Sequence, residues 1–147
     1  AGYGELSQYL DEVSSKFPEK IKFHGMLNSS QGLALMESSD IYIGMYYKTN
    51  RNHYWAAPNK YFEHLMLGIP LLTTEGTPPG EKVAAYETGW AIGEGAQELS
   101  SFFSRLSNDQ ISIFANNASS LWENKFISYY DEYYKGIYFK RIMEYIN

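Results

Sequence analysis

Cysteine is absent from the 147 residues, which excludes a disulfide scaffold, a thiolate zinc site and a thiol nucleophile, and permits a cytoplasmic origin. Histidine is scarce, with three scattered copies, so no metal centre is expected. Basic residues are outnumbered, 12 Lys and Arg against 17 Asp and Glu for a net charge of -5. That is the reverse of the cationic surplus a nucleic-acid partner requires. No apolar run approaches the ~20 residues that span a bilayer. The opening AGYGELSQYL has no basic stretch followed by an apolar segment, so it is not expected to be a signal peptide, and it reads as a start in mid-structure. What the chain does have is 44% hydrophobic residues, enough to fill one ordinary core without staples. A single soluble domain over residues 1–147 is expected.

Apolar residues at helical spacing alternate with short β-branched and aromatic runs, and no repeat or low-complexity tract interrupts them. Ser7 to Lys16 carries Tyr9, Leu10 and Val13 on one helical face, and Phe17-Pro18 ends it. IKFHG, Ile21 to Gly25, reads as a strand closing in a glycine turn. Ser29 or Ser30 is expected to cap a short helix holding Leu33, Leu35 and Met36, ahead of a strand in DIYIGMYY, Asp40 to Tyr47. AAPNKYFEHLMLGIPLLTT, Ala56 to Thr74, supplies a helix with Pro58 in its first turn. Its apolar stripe is Tyr61, Phe62, Leu65 and Met66, its left-handed exit is Gly68, and the strand Ile69–Thr73 follows. EKVAAYETG gives another helix and Trp90–Ile92 a brief strand, with Glu75 a solvated loop charge before a turn at Pro78-Pro79-Gly80. From Ala96 onward only helical patterns remain, with Ser107 and Gln110 at capping-box spacing. The fold class that follows is α/β: a Rossmann-like parallel sheet with helices on both faces, and a helical C-terminal tail over 96–147.

Lys60 and Glu63 stand three residues apart near the start of the helix at Pro58. The bland account is an i,i+3 surface pair, with Glu63 gaining about 0.3–1 kcal/mol from the helix dipole. Position argues for more. In an open parallel sheet, ligands gather at the carboxyl ends of the strands, where helix N-termini offer unpaired N–H groups to anions. The loop Lys48 to Ala57 returns from such an end. A lysine there suits a phosphate, and a carboxylate suits a diol.

Phe23-His24-Gly25, Ser38-Ser39-Asp40, Pro58-Asn59-Lys60 with Glu63, and Gly68-Ile69-Pro70 follow one another in order. The set resembles the nucleotide-sugar-binding C-terminal domain of GT-B glycosyltransferases of the group-1 type. Gly2-Tyr3-Gly4-Glu5-Leu6 is similar to the G-x-G-x-L after that domain's second strand. The resemblance implies that Glu63 holds the ribose hydroxyls and that the Asn59–Lys60 turn offers backbone N–H groups to the diphosphate or the sugar. It also implies that the backbone around His24, Gly25 and Met26 lies near the base. A carboxylate accepting from a vicinal diol agrees with this, each charge-assisted bond contributing about 1.5–3 kcal/mol. The activity implied is transfer of a sugar from a UDP-, GDP- or ADP-sugar to an acceptor hydroxyl in polysaccharide or glycoconjugate synthesis, with retention at the anomeric carbon. Neither metal nor further cofactor is expected, and the implied location is cytoplasmic, at the inner face of the membrane where the acceptor is lipid-linked. No residue is assigned as nucleophile.

Two features depart from that family. Many relatives carry a second glutamate eight residues before the one matched by Glu63, and here Trp55 stands there: either the chain belongs to the subset lacking that carboxylate, or a looped-out Asn50–Tyr54 segment replaces its contact. The cations that grip the diphosphate, two central strands of a 3-2-1-4-5-6 sheet and the acceptor-binding half would all lie upstream of Gly2. The chain therefore reads as an N-terminally truncated donor half, inactive without the missing domain. Trp55 keeps open a non-catalytic nucleotide-sugar-binding module, and a sugar-nucleotide epimerase is a more distant alternative. In the tail, FISYYDEYYKGIYFKRIMEYI spreads Tyr129, Tyr130, Tyr133, Tyr134, Tyr138, Phe139 and Tyr145 over more than one helical face. Core and interdomain packing accounts for that width. The interspersed Lys135, Lys140 and Arg141 raise a membrane-facing surface, against which Asp131, Glu132 and Glu144 count.

Overall fold

The computed structural model describes residues 1–54 and 58–146, with the backbone alone at Tyr130. The chain divides into two compact units, Ala1–Ser38 and Ser39–Asn147.

In the first unit α1 spans Ser7–Lys16 and α2 spans Ser29–Glu37. α2 is capped one residue earlier than expected. The Asn28 side chain accepts from the Gln31 N–H while the Gln31 side chain accepts from the Asn28 N–H, a reciprocal box that satisfies two of the orphan donors. The expected strand Ile21–Gly25 does not form. Its polar groups find local partners instead: the Ile21 N–H returns to Phe17 O, and Ser14 Oγ donates to Ile21 O and accepts from the Phe23 N–H. Those groups of Ile21 and Phe23 are therefore not offered to a ladder. Gly25 does make the expected turn, at φ 59°.

The second unit is α/β. Its parallel sheet holds β1 (Tyr42–Gly44), β2 (Leu71–Thr74) and β3 (Gly89–Ile92) in the order β1-β2-β3. α3 (Arg51–Tyr54) and α4 (Asn59–Leu67) connect β1 to β2, and α5 (Pro78–Tyr86) connects β2 to β3. α6 (Ala96–Arg105) and α7 (Asn108–Leu121) follow, and the helix runs on through π-wound stretches at Trp122–Phe126 and Tyr130–Tyr138 into α8 (Phe139–Ile146). Among the described residues no helix is long and apolar enough to cross a membrane.

β2 is the middle strand and all four of its residues are buried. Side chains alternate along it, so Leu71 and Thr73 share one face. On the Leu71 face Tyr61 and Leu65 of α4, Val83 of α5 and Ala118 of α7 close the core, with Tyr42 and Ala91 beside them. Each fully buried Leu or Val there contributes about 1.5–3 kcal/mol. On the other face Trp90 packs on Phe102 of α6. The stripe expected of α4 is corrected in one respect: His64 is fully buried, whereas Phe62 and Met66 are 39% and 42% exposed. Positions 61, 64 and 65 make the i, i+3, i+4 face, and 62 and 66 fall beside it.

Two glycines fix the strand ends. Gly68 closes α4 at φ 65°, the left-handed exit expected of it. Gly89 lets β3 lie against β2, because a Cβ at that position would run into the Leu71 backbone. Pro78-Pro79-Gly80 is not the loop turn expected but the first turn of α5. Thr77 caps it, accepting from the Gly80 N–H and donating to Thr74 O at 2.6 Å. Proline suits that turn because its missing N–H is not required there.

Candidate functional site

Three helices begin at the carboxyl ends of the parallel strands, as the β1-α4-β2-α5-β3-α6 succession requires. Thr77 caps α5, whereas α4 begins at Pro58 and α6 at Gly95, neither with a side-chain cap. The first N–H groups of α4 and α6 therefore keep their capacity for an acceptor. Pro58 is the N-cap residue itself, one position before the first turn in which it was expected.

Lys60 extends from the first turn of α4 across the end of β1. A Cβ on Gly44 would lie 3.4 Å from Lys60 Cδ, so a larger residue at 44 would crowd this lysine. Lys60 Nζ donates to Tyr42 Oη at 2.9 Å and lies 4.8 Å from the Tyr42 ring centroid. The Tyr42 hydroxyl in turn faces Glu63 Oε2 at 3.5 Å. Lys60 and Glu63 are thus joined through a tyrosine rather than directly, and both are half-buried. Among the described residues one of three ammonium protons is used and the carboxylate accepts one long bond, so both groups retain capacity for a ligand.

Tyr46 stands next to this chain. Burial raises its phenol pKa, and Tyr42 and the Glu63 carboxylate raise it further. Its N–H donates to Thr74 Oγ1 at 2.8 Å and its ring meets His53 of α3 edge-on, with centroids 6.2 Å apart. A cavity of about 210 Å³ lies between Met45, Tyr46, Thr74, Glu94, Gly95 and Leu99, at the strand ends and the start of α6. The Lys48 N–H donates to Glu94 Oε1 at 2.9 Å, tying the loop after β1 to the loop after β3.

Of the residues expected in the site, Lys60 and Glu63 come together about Tyr42, and Asn59 occupies the first position of α4 beside them. His24, Gly25 and Met26 belong to the first unit. There His24 and Met26 are exposed and Gly25 O accepts from the Gly2 N–H at 2.6 Å. The Gly2 to Leu6 segment of that unit lines a separate pocket with Leu10 and Phe23. Trp55 lies outside the described residues, and Arg51–Tyr54 of the expected loop forms the single turn α3.

Tyr42, Tyr46, Thr74 and Glu94 were not singled out from the sequence. Glu94, between two glycines after a strand, carried a usable signal. Tyr42 carried one in the alternation of β1, which turns it toward α4. Among the described residues no group of His, Asp and Glu is placed to hold a metal ion.

No protein-family model and no curated protein matches the chain.

Proposed function

We propose that the sheet-bearing unit binds the nucleoside-diphosphate portion of a sugar donor, and that the chain is the donor-binding part of a retaining glycosyltransferase acting on a glycan or lipid-linked acceptor. The observation that carries the proposal is the Lys60–Tyr42–Glu63 chain at the start of α4. It sets a cation and a carboxylate, both with unused hydrogen-bonding capacity, at the end of a parallel sheet where ligands gather. Glu63 accepts the ribose diol, and Lys60 with the N–H groups at Asn59 and Lys60 takes the diphosphate. As the anomeric centre acquires positive charge, those groups stabilise the departing diphosphate, which is the step such a transferase must accelerate. The resemblance in motif order points the same way, and the uncapped starts of α4 and α6 suit an anion.

Calorimetric titration with UDP, GDP and ADP tests it. Glu63→Ala is expected to weaken the preferred nucleotide by about 10-fold to 150-fold, the loss of one charge-assisted bond, while circular dichroism stays unchanged. Lys60→Ala is expected to weaken the diphosphate and leave the free nucleoside unaffected. Wild-type affinity in Glu63→Ala would remove that residue from the site.

A further inference from the structure

The chain beyond Phe126 carries a surface that the donor site does not use. The rings of Tyr129, Tyr133, Tyr134 and Tyr138 pack on one another along the helix, with Tyr129 and Tyr133 stacked at 5.3 Å and Tyr134 and Tyr138 edge-on at 5.9 Å. Tyr133 and Tyr138, five apart, also stack at 6.5 Å, a spacing favoured by the π winding, which turns the chain less per residue than an α-helix does. α8 then adds Phe139, Ile142, Met143 and Ile146 at i, i+3, i+4 and i+7, a continuous apolar stripe of strong amphipathicity. Ile137 is 50% exposed and Phe139 59%. An isolated helix of this length is marginal in water and leaves its stripe uncompensated.

The sequence of this segment reads alike in both directions about Gly136. Positions equally far from it are Tyr134 and Tyr138, Tyr133 and Phe139, Tyr129 and Met143, and Phe126 and Ile146. The charged positions mirror with opposite sign: Asp131 against Arg141 and Glu132 against Lys140. The exceptions are Glu144 opposite Ser128 and Lys135 opposite Ile137, and Lys135 pairs within its own helix with Asp131. We propose that this face is covered by a second copy of the chain, the two tails lying antiparallel about a two-fold axis near Gly136. In that arrangement apolar residues meet apolar residues, and the acidic half of each helix comes level with the basic half of the other. A parallel pair would bring like charges level instead. With both signs balanced in the segment, an anionic membrane gains no comparable charge match. A two-helix contact of ~27 Å falls near the low end of specific interface sizes, so the dimer is reversible.

Sedimentation velocity of the 147-residue chain over a concentration series tests this. Wild type is expected to reach twice the chain mass. The pairs Asp131→Lys with Glu132→Lys, and Lys140→Glu with Arg141→Glu, each set like charges level and are expected to raise the dimer dissociation constant about tenfold or more. All four changes together restore opposite signs and are expected to restore the dimer. The four positions are exposed, and unchanged circular dichroism confirms the fold of each variant. A wild type that stays monomeric at ~100 μM overturns the proposal, and so does a four-fold variant no tighter than the two-fold ones. Flotation of the monomer with anionic vesicles would assign the face to lipid instead.

Discussion

His64 shows what single residues contribute here. It is fully buried, with Nδ1 2.9 Å from Ile69 O and Nε2 without a hydrogen-bond partner among the described residues. Burial lowers its pKa from 6.5 to about 4, against the opposing pull of the Ile69 hydrogen bond. The neutral ring donates from Nδ1, and a second proton on Nε2 would place a charge in an apolar core beside Tyr61. Because the folded pKa lies below the unfolded one, His64 costs nothing above pH 6.5. Stability then falls as pH drops from 6.5 toward 4, by about 3 kcal/mol at the acid end. Chemical denaturation of wild type between pH 7.5 and 4.5 is expected to show this slope, and His64→Leu is expected to flatten it most between about pH 6 and 4.5. An equal slope in the variant would assign the effect to other groups. The sequence placed Lys60 and Glu63 near a helix start, and the alternation of β1 could turn Tyr42 toward α4, but its place between the two charges, 21 residues from Glu63, comes from tertiary packing. His64 was legible in principle, since 61, 64 and 65 form a helical face.

At the scale of elements, β1, β2, β3 and the helices α4 and α5 were readable from β-branched and aromatic runs, glycine exits and proline punctuation, whereas α3 falls in what reads as loop. Ile21–Gly25 has the same composition and forms no strand; Ser14 and the turn at Phe17 take backbone groups of Ile21 and Phe23. Composition signals what a segment would like to pair with, not whether its donors are already engaged. The π-winding of the tail was equally hidden, though the tyrosine spacings that it aligns are in the sequence. The pairing of β3 with β2 rests on Gly89, where a Cβ would meet the Leu71 backbone. Gly89→Ala is therefore expected to cost about 3 kcal/mol or more, since neither strand can move without opening the core. Urea denaturation would read this as a lower midpoint at constant slope. A loss below ~0.5 kcal/mol would mean that β3 is held elsewhere.

For the whole molecule, the α/β class and the parallel sheet were legible because strands separated by helices require parallel crossovers. The division after Ser38 was not, because nothing in the composition there resembles a linker. The donor-site reading depends on the sheet-bearing unit presenting Lys60 and Glu63 to one ligand. The most direct measurement is an amide chemical-shift titration of the chain with UDP, GDP and ADP. The account predicts that one of the three moves Tyr42, Tyr46 and Asn59 through Glu63 together, saturating along a single binding curve. Shifts confined to the edge near Trp90 or to the tail, or none with any of the three nucleotides, would contradict it.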